Sequence, residues 1–499
     1  TYMISAGYYD QESNFEGPDY GRQRYNFRTN ITTEYKRVKV TALLSYSHEN
    51  SKTTTDGSTI ANAMRIPTYY YYRQYDPVTG KYLLNDKLTD RNSLGLLEEG
   101  GYNKYRNDYV NANLSAEVKI IDGLKLRGVL GADIFADHRY TRTHEVMFYN
   151  TDAAGNPVGE GRSANNDNKS EDWNKRAYLI NSQLMLDFDR TFGKHHVAAL
   201  LGASNESYTS EANQISFKWA DPDLGINGDG TEAVISGDGR SSVTPENTTR
   251  TSLTSVFGRA AYDYDNRYYA EFSFRYDGSS KFRSDLRWGF FPSASAGWRI
   301  SEEPFFGNAK DLVDNLKLRA SFGSLGNQNV SSYYTYMRLI TNKDFSNYTF
   351  DGSIKGKYSS LGAPVASDLT WETAQQWDLG LDLTMLNNRL NFTGDVYIRD
   401  TKDMLTDGMA LPGVYGADSP SMNSAELRTK GYELSVSWRD QFKLAGKPFE
   451  YSVGFNLSDY KSVITKYDNN PNKSLTNLTK GDYYVGMEIG EIWGFVTDG

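Results

Sequence analysis

The sequence predicts an all-β protein, an antiparallel transmembrane β-barrel with short turns at one end and long loops at the other. Three observations carry that reading. Apolar and polar residues alternate through segment after segment, most segments reach ten residues or more, and tight turns alternate with long excursions. The stretch WDLGLDLTMLNNRLNFTGDVYIRD, residues 377 to 400, shows both the alternation and the turn. Trp377, Leu379, Leu381, Leu383 and Met385 take one face, and Asp378, Gly380, Asp382 and Thr384 the other. Beyond Asn387 and Asn388, Leu390, Phe392, Gly394, Val396 and Ile398 resume the apolar face opposite Asn391, Thr393, Asp395, Tyr397 and Arg399.

Composition narrows the class. The chain has 499 residues, no cysteine, a net charge of -9, and 38 Tyr and 44 Gly against 13 Pro. Without cysteine there is no disulfide or thiolate-held metal, and the acidic balance argues against nucleic acid as a partner. The longest apolar runs, such as HVAALLGA at 196 to 203, fall far short of the roughly 18 residues of a spanning helix, so any membrane crossing must use strands. Low mean hydropathy is compatible with that, because only alternate barrel residues meet lipid.

Taken in order, the elements repeat one design. TYMISAGYYDQESNF is strand-like from the first residue; RYNFRTNITTEY turns at Lys36 and Arg37 into VKVTALLSY. YVNANLSAEVKI turns at Asp122 and Gly123 into LKLRGVLGADI, and AYLINSQLMLDF turns near Gly193 into HHVAALLGAS. SVFGRAAYDY turns at Asp265, Asn266 and Arg267 into YYAEFSFRYD; SASAGWRIS, LKLRASFG, the 377 to 400 hairpin, GYELSVSW and YSVGFNLS follow. The count is about fifteen strands, long against the usual five or six residues and suited to a span of roughly 9 to 11 tilted residues.

The connections sort by end. After Tyr46 an excursion is expected to last to Asp108, and others near 146 to 175, 213 to 250, 326 to 370 and 405 to 425. Outer-membrane barrels combine short periplasmic turns with long external loops in this way. Tyr35, Phe188, Tyr264, Tyr268 and Trp438 have apolar-face parity beside the short turns, as an aromatic girdle requires. The apolar face is then expected to meet lipid, and Asp378, Asp382, Asp395 and Arg399 to point into a wet lumen where charge keeps its hydration.

LRASFGSLGNQNV (318 to 330), the 369 to 405 stretch LTWETAQQWDLGLDLTMLNNRLNFTGDVYIRDTKDML, NSAELRTKGYELSVSWRD (423 to 440) and FFPSASAGWRISEEPFF (290 to 306) fix strand order, spacing and turn residues together. They resemble the barrel of SusC/RagA-type TonB-dependent transporters of Bacteroidetes outer membranes, and the resemblance runs along essentially the whole chain. It implies a 22-stranded barrel around an N-terminal plug, energised through the TonB complex. It also implies a SusD-like lipoprotein over the extracellular mouth and import of oligosaccharides or peptides. Against that pattern, residues 1 to 499 are expected to be a partial barrel that begins near the third strand and stops before closure, without the plug, the TonB-contacting segment or the last strands.

Other motifs point away from catalysis. DPDLGINGDGTE places Asp221, Asp223, Asn227, Asp229 and Glu232 at calcium-loop spacing, but Gly225 and Ile226 stand where an oxygen ligand and a glycine belong. His144 and Glu145 open a zinc motif that Phe148 breaks, and the rings of His195 and His196 fall on opposite strand faces. No metal, cofactor or catalytic residue is therefore assigned, and the chain is not expected to be an enzyme. The binding candidates are Tyr69, Tyr70, Tyr71, Tyr72 and Arg73 in the longest excursion and Trp219 in another. Exposed aromatics there can stack on sugars or pack on a lid, or simply pack their own loop. A non-transporting outer-membrane barrel used for adhesion is the competing function.

Overall fold

The computed structural model describes residues 1–15, 19–65, 73–84, 92–163, 168–218, 240–245, 248–330, 333–349, 355–409, 411–417, 419–475, 482–494 and 497. Fifteen strands follow one another in a single antiparallel sheet, each paired with its neighbours in sequence, and Arg240–Pro245 adds a short flap to His195–Lys218. The strands are 11 to 24 residues long. By compactness the chain divides into two units, one of Thr1–Ala116, Val129–Ser182 and Ser207–Arg250 and one of Glu117–Gly128, Gln183–Glu206 and Thr251–Gly499. No helix among the described residues is long and apolar enough to cross a membrane.

In the first unit, Tyr2–Glu12, Gly21–Tyr35 and Val38–Thr54 form a meander. Lys36 adopts φ 56° in the two-residue turn at 36–37, a conformation whose twist matches paired strands. A separate four-stranded sheet of Tyr75–Asp76, Lys81–Leu84, Met147–Thr151 and Pro157–Ser163 packs on the short helix Leu94–Glu98. Tyr82, Leu84, Val146 and Phe148 are its buried core, with Leu94 and Leu96 against them.

In the second unit the strands run Thr249–Tyr264, Tyr268–Ser279, Trp288–Arg299, Val313–Asn327, Glu372–Met385, Leu390–Asp407, Ser421–Leu444 and Lys447–Tyr467. Their turns at 265–267, 386–389 and 445–446 are tight, and the connection at 300–312 is a pair of 3₁₀ segments. Register aligns one apolar row across neighbouring strands: Trp298, Leu318, Leu381, Gly394, Leu434 and Leu457. That face is apolar yet open: Trp377 is 62 %, Leu379 57 % and Val453 63 % exposed. Contiguous apolar surface of this kind on a folded sheet requires an apolar solvent or a partner.

The expected turns stand where the alternation puts them, and the fifteen strands are present. The excursions are shorter than expected. Val38–Thr54 continues past Tyr46 and Gly101–Ile121 begins before Asp108, so the first long loop is 55–100. The reason is that the ladder continues through Ser47, His48, Glu49, Asn50, Ser51 and Lys52, where both faces are polar and hydrophobic alternation vanishes while backbone pairing persists. The 326 to 370 excursion likewise contains a hairpin, Ile340–Thr349 with Lys355–Leu361.

Candidate functional site

The polar face of the second unit is organised around Arg319, which sits opposite Gly380, itself opposite Asp395. Its guanidinium holds Asp382 through two hydrogen bonds of 2.8 and 3.1 Å and Asp395 through one of 2.9 Å. A fork on two carboxylates needs lateral room, and Gly380 supplies it. A Cβ there would lie 2.3 Å from Asp395 Oδ1 and 2.7 Å from Arg319 Cζ. The sequence-predicted Asp382 and Asp395 are thus brought together, whereas Asp378 is half-buried opposite Tyr397, and Arg399 is exposed. Arg319 was not singled out by sequence reasoning; its parity opposite Leu318 and Ala320 was the available signal, and only register reveals its partners.

The same face carries more alternating charge toward the turns. Arg127 pairs with Asp187 at 3.1 Å, Lys125 with Glu117 at 3.2 Å and Arg259 with Glu271 at 2.6 Å. His196 lies between Asp263 at 2.8 Å and Asp189 at 3.1 Å, while His195 points the other way, 2.7 Å from the Tyr262 hydroxyl. The two rings are on opposite faces as expected. A cavity of about 290 Å³ opens among Lys125, Arg127, Asp187, Asp189 and Arg259. These pairs are partly solvated, so each adds little stability, about 0 to 1 kcal/mol; what they provide is a charged face whose cations and carboxylates are paired.

At the loop end, the same unit builds a core of its own. Phe282, Phe291 and Trp371 are buried together, ring centroids 5.3 and 5.4 Å apart around Trp371, with Leu253 and Val330 against them. Trp371 donates its indole N–H to the Arg287 carbonyl at 2.8 Å, and Thr370 donates its hydroxyl to the Leu286 carbonyl at 3.0 Å. The Asn423 side chain accepts from the Thr370 amide and donates to its carbonyl, at 2.9 and 3.1 Å. Beside this anchor lies a cavity of about 710 Å³ lined by Tyr334, Met337, Leu339, Val365, Tyr467 and Tyr483. Aromatic rings and apolar side chains share this recess with Thr406, Asp407 and Asn469.

In the first unit the loop sheet is fixed similarly, and Phe148, 1 % exposed, lies on a strand and not on a helix. Arg73 pairs with Asp76 at 3.0 Å and donates to the Gly155 carbonyl at 3.3 Å, so it helps hold the loop to itself. Tyr69, Tyr70, Tyr71, Tyr72 and Trp219 lie outside the described residues, as does the 221–232 calcium-like stretch. Among the described residues no group of three or more His, Cys, Asp or Glu is arranged to hold a metal.

Near the turns, Glu303 in the 300–312 connection is buried and accepts from the Tyr268 hydroxyl, the Trp298 indole N–H at 3.1 Å and Arg267 at 3.4 Å. The Tyr268 hydroxyl, followed by the Trp298 N–H, holds its carboxyl below the usual glutamate range. Tyr264 stacks near Tyr268, centroids 6.4 Å apart. One of the expected girdle residues, Tyr268, therefore holds a carboxylate that the sequence did not reveal, and a second, Tyr264, stacks on Tyr268.

Residues 66–487 match the family described as TonB dependent receptor-like, beta-barrel. TonB-dependent receptor SusC of Bacteroides thetaiotaomicron is 26 % identical over 517 residues, covering 97 % of this chain and 47 % of that protein. TonB-dependent receptor P3 of Formosa agariphila is 27 % identical over 492 residues, covering 93 % of this chain and 44 % of that protein. The chain thus spans about half the length of these curated relatives. Among solved structures, that of the RagAB peptide transporter superposes with a TM-score of 0.73 at 24 % identity, covering 96 % of this chain and 51 % of that one. This last likeness establishes the fold.

Proposed function

Because the chain belongs to the TonB dependent receptor-like β-barrel family, whose barrels reside in the bacterial outer membrane, we propose that it forms the wall of an energised importer for oligosaccharides or peptides. The single observation that carries this reading is the polarity of the sheet. One face is openly apolar, with Trp377, Leu379 and Val453 more than half exposed, and the other carries paired charge from Arg127 to Arg319. In this reading the first face meets lipid, and Asp378, Asp382, Asp395 and Arg399 face the lumen. The long loops lie outside the cell and the 36–37, 122–123 and 386–389 turns in the periplasm. A SusD-like lipoprotein covers the loops, and TonB acts through parts of the full-length protein other than this wall.

The same folded loops would serve an adhesin, which is the second reading; the loop-end core of Phe282, Phe291 and Trp371 favours neither. The test is deletion of Ile66 to Tyr75 in the full-length protein, with a Tyr-to-Ala series over 69 to 72. The deletion lies outside the barrel's strand ladder, so the barrel is expected to assemble; because it also removes Arg73 and Tyr75 from the loop sheet, the Tyr-to-Ala series separates lost contacts from a collapsed loop. Co-purification of the lipoprotein and growth on the cognate nutrient are expected to fall together. Standard interfaces bury roughly 1,600 Å² and lean on a few aromatic or Arg anchors. Normal growth with full co-purification overturns the docking role, and growth that does not depend on TonB overturns active import.

A further inference from the structure

The apolar face of the first unit ends in an ordered sequence of rows. Tyr2, Ile31 and Ala42 form one, Ile4, Thr29 and Leu44 the next, then Ala6, Phe27 and Tyr46. The following row is aromatic throughout: Tyr8, Tyr25 and His48, with ring centroids 5.1 and 6.2 Å apart. Beyond it stand Asp10, Gln23 and Asn50, and then Glu12, Gly21 and Lys52. An apolar band, one aromatic row and then charge is the order met by a strand leaving hydrocarbon for the headgroup layer.

At this level the neighbouring strand Gly101–Ile121 brings Lys104 and Arg106. It is positioned by Asp108, which accepts from the Tyr46 hydroxyl at 2.6 Å and lies 2.8 Å from His48 Nδ1, and by Asn103, which donates to the Thr54 carbonyl at 2.9 Å. The ammonium groups of Lys52 and Lys104 sit 4.9 and 4.6 Å from the centroid of the one Tyr102 ring. They are therefore no farther apart than the ~10 Å over which salt screens charge. Two cations so placed repel each other, and an anion seated between them relieves that repulsion. A groove of about 1140 Å³ runs past Lys52, Tyr102, Lys104, Arg106 and Tyr140. Of its carboxylates, Asp172 is engaged by His138 at 2.7 Å and Asp10 accepts from Tyr8 at 2.9 Å, while Glu12 ends the far strand in the row of Lys52 and Asp19 lies on the connection after it; Asp108, just outside the groove, offsets part of the Arg106 charge.

We propose that Lys52, Lys104 and Arg106 bind the phosphate of an outer-leaflet glycolipid, with Tyr102 and Tyr140 against its sugar and its acyl chains along the apolar rows below. The inference rests on the reading that the apolar face meets lipid. Cations clustered beside a membrane attract anionic headgroups in this way.

The experiment uses the full-length protein in nanodiscs and measures binding of lipid A carrying phosphate, of lipid A with its phosphates removed, and of inorganic phosphate. Each near-surface cation contributes roughly fivefold, so Lys52→Gln, Lys104→Gln and Arg106→Gln together are expected to weaken phosphorylated lipid A on the order of a hundredfold. Removing the phosphates should weaken binding to the wild type similarly, whereas Lys36→Gln with Arg37→Gln at the opposite end should leave it unchanged. Wild-type binding that ignores the lipid phosphate overturns the proposal without needing any variant. Full displacement by millimolar inorganic phosphate would make this a soluble-anion site instead, and equal loss in the Lys36 and Arg37 variant would reduce it to net charge. Failure of the wild type to insert at all would overturn the lipid-facing reading as well.

Discussion

The two ends of these strands are built by different means. At the turn end, the 300–312 connection apart, the chain closes over two to four residues with backbone chemistry, as at Leu386, Asn387 and Asn388, whose φ angles are 60°, 57° and 62°. At the loop end, closure depends on side chains far apart in sequence: Phe282 on one connection, Phe291 on a strand and Trp371 at the end of another. The first kind of closure is local and cheap in entropy; the second must order long loops before its contacts form. The difference teaches that one sheet can carry a separately stabilised region at one rim while its other rim is mostly short turns.

The strongest way to break that comparison is Trp371→Ala. Losing a large buried aromatic costs about 3 to 5 kcal/mol, and the loss should stay at the loop end. Hydrogen exchange should speed up in 280–287 and 369–371 while amides beside 386–389 keep their protection. Uniform deprotection would show that the two ends are one cooperative unit.

Leu381→Arg probes the strip that both ends share. It should cost about 2 to 4 kcal/mol if Leu381 lies near the bilayer midplane, read as lost heat-modifiability on gels. Asp382→Asn on the neighbouring position should leave folding nearly unchanged, and equal tolerance at both sites would mean that the lipid face is misassigned.

Smaller effects sharpen the turn end. Leu386 stands at positive φ, a conformation costing L-residues about 1 kcal/mol, so Leu386→Gly should stabilise the hairpin by up to that amount in a denaturant titration. Glu303 offers a pH test. Its folded carboxyl titrates below its unfolded value, so its contribution is complete above the ordinary glutamate range, roughly 4.3, and disappears as pH falls through the folded value. Trp298 fluorescence should report this acid transition in the wild type, and Glu303→Gln should remove it. A transition that survives the substitution would assign it to another carboxylate.

The same contrast explains what could be read in advance. The Lys36, Asp122, Gly193, Asp265 and Asn387 turns, the strand count and the faces of Leu381 and Asp382 were legible because alternation and turn chemistry are local. The true strand ends were not, since Thr54 follows residues polar on both faces. Arg319 was invisible as the partner of Asp382 and Asp395 because pairing across three strands is a property of register. Phe291 has the parity of the polar face and is buried only because the 280–287 and 369–371 segments cover it. Tyr69 to Tyr72 and Trp219 were singled out for their chemistry; of that cluster only Arg73 has a described place, and its partners are in its own loops.

The length of Ser421–Leu444 sets a distance that any tethered companion must satisfy. The apolar face runs on past Tyr432 to Trp377 and Ile398, opposite Lys430, so residues 421–429 are what rises beyond it, roughly 30 Å of strand at about 3.3 Å per residue. A companion held at the level of the apolar face must bridge that height with its leash and its own folded body together.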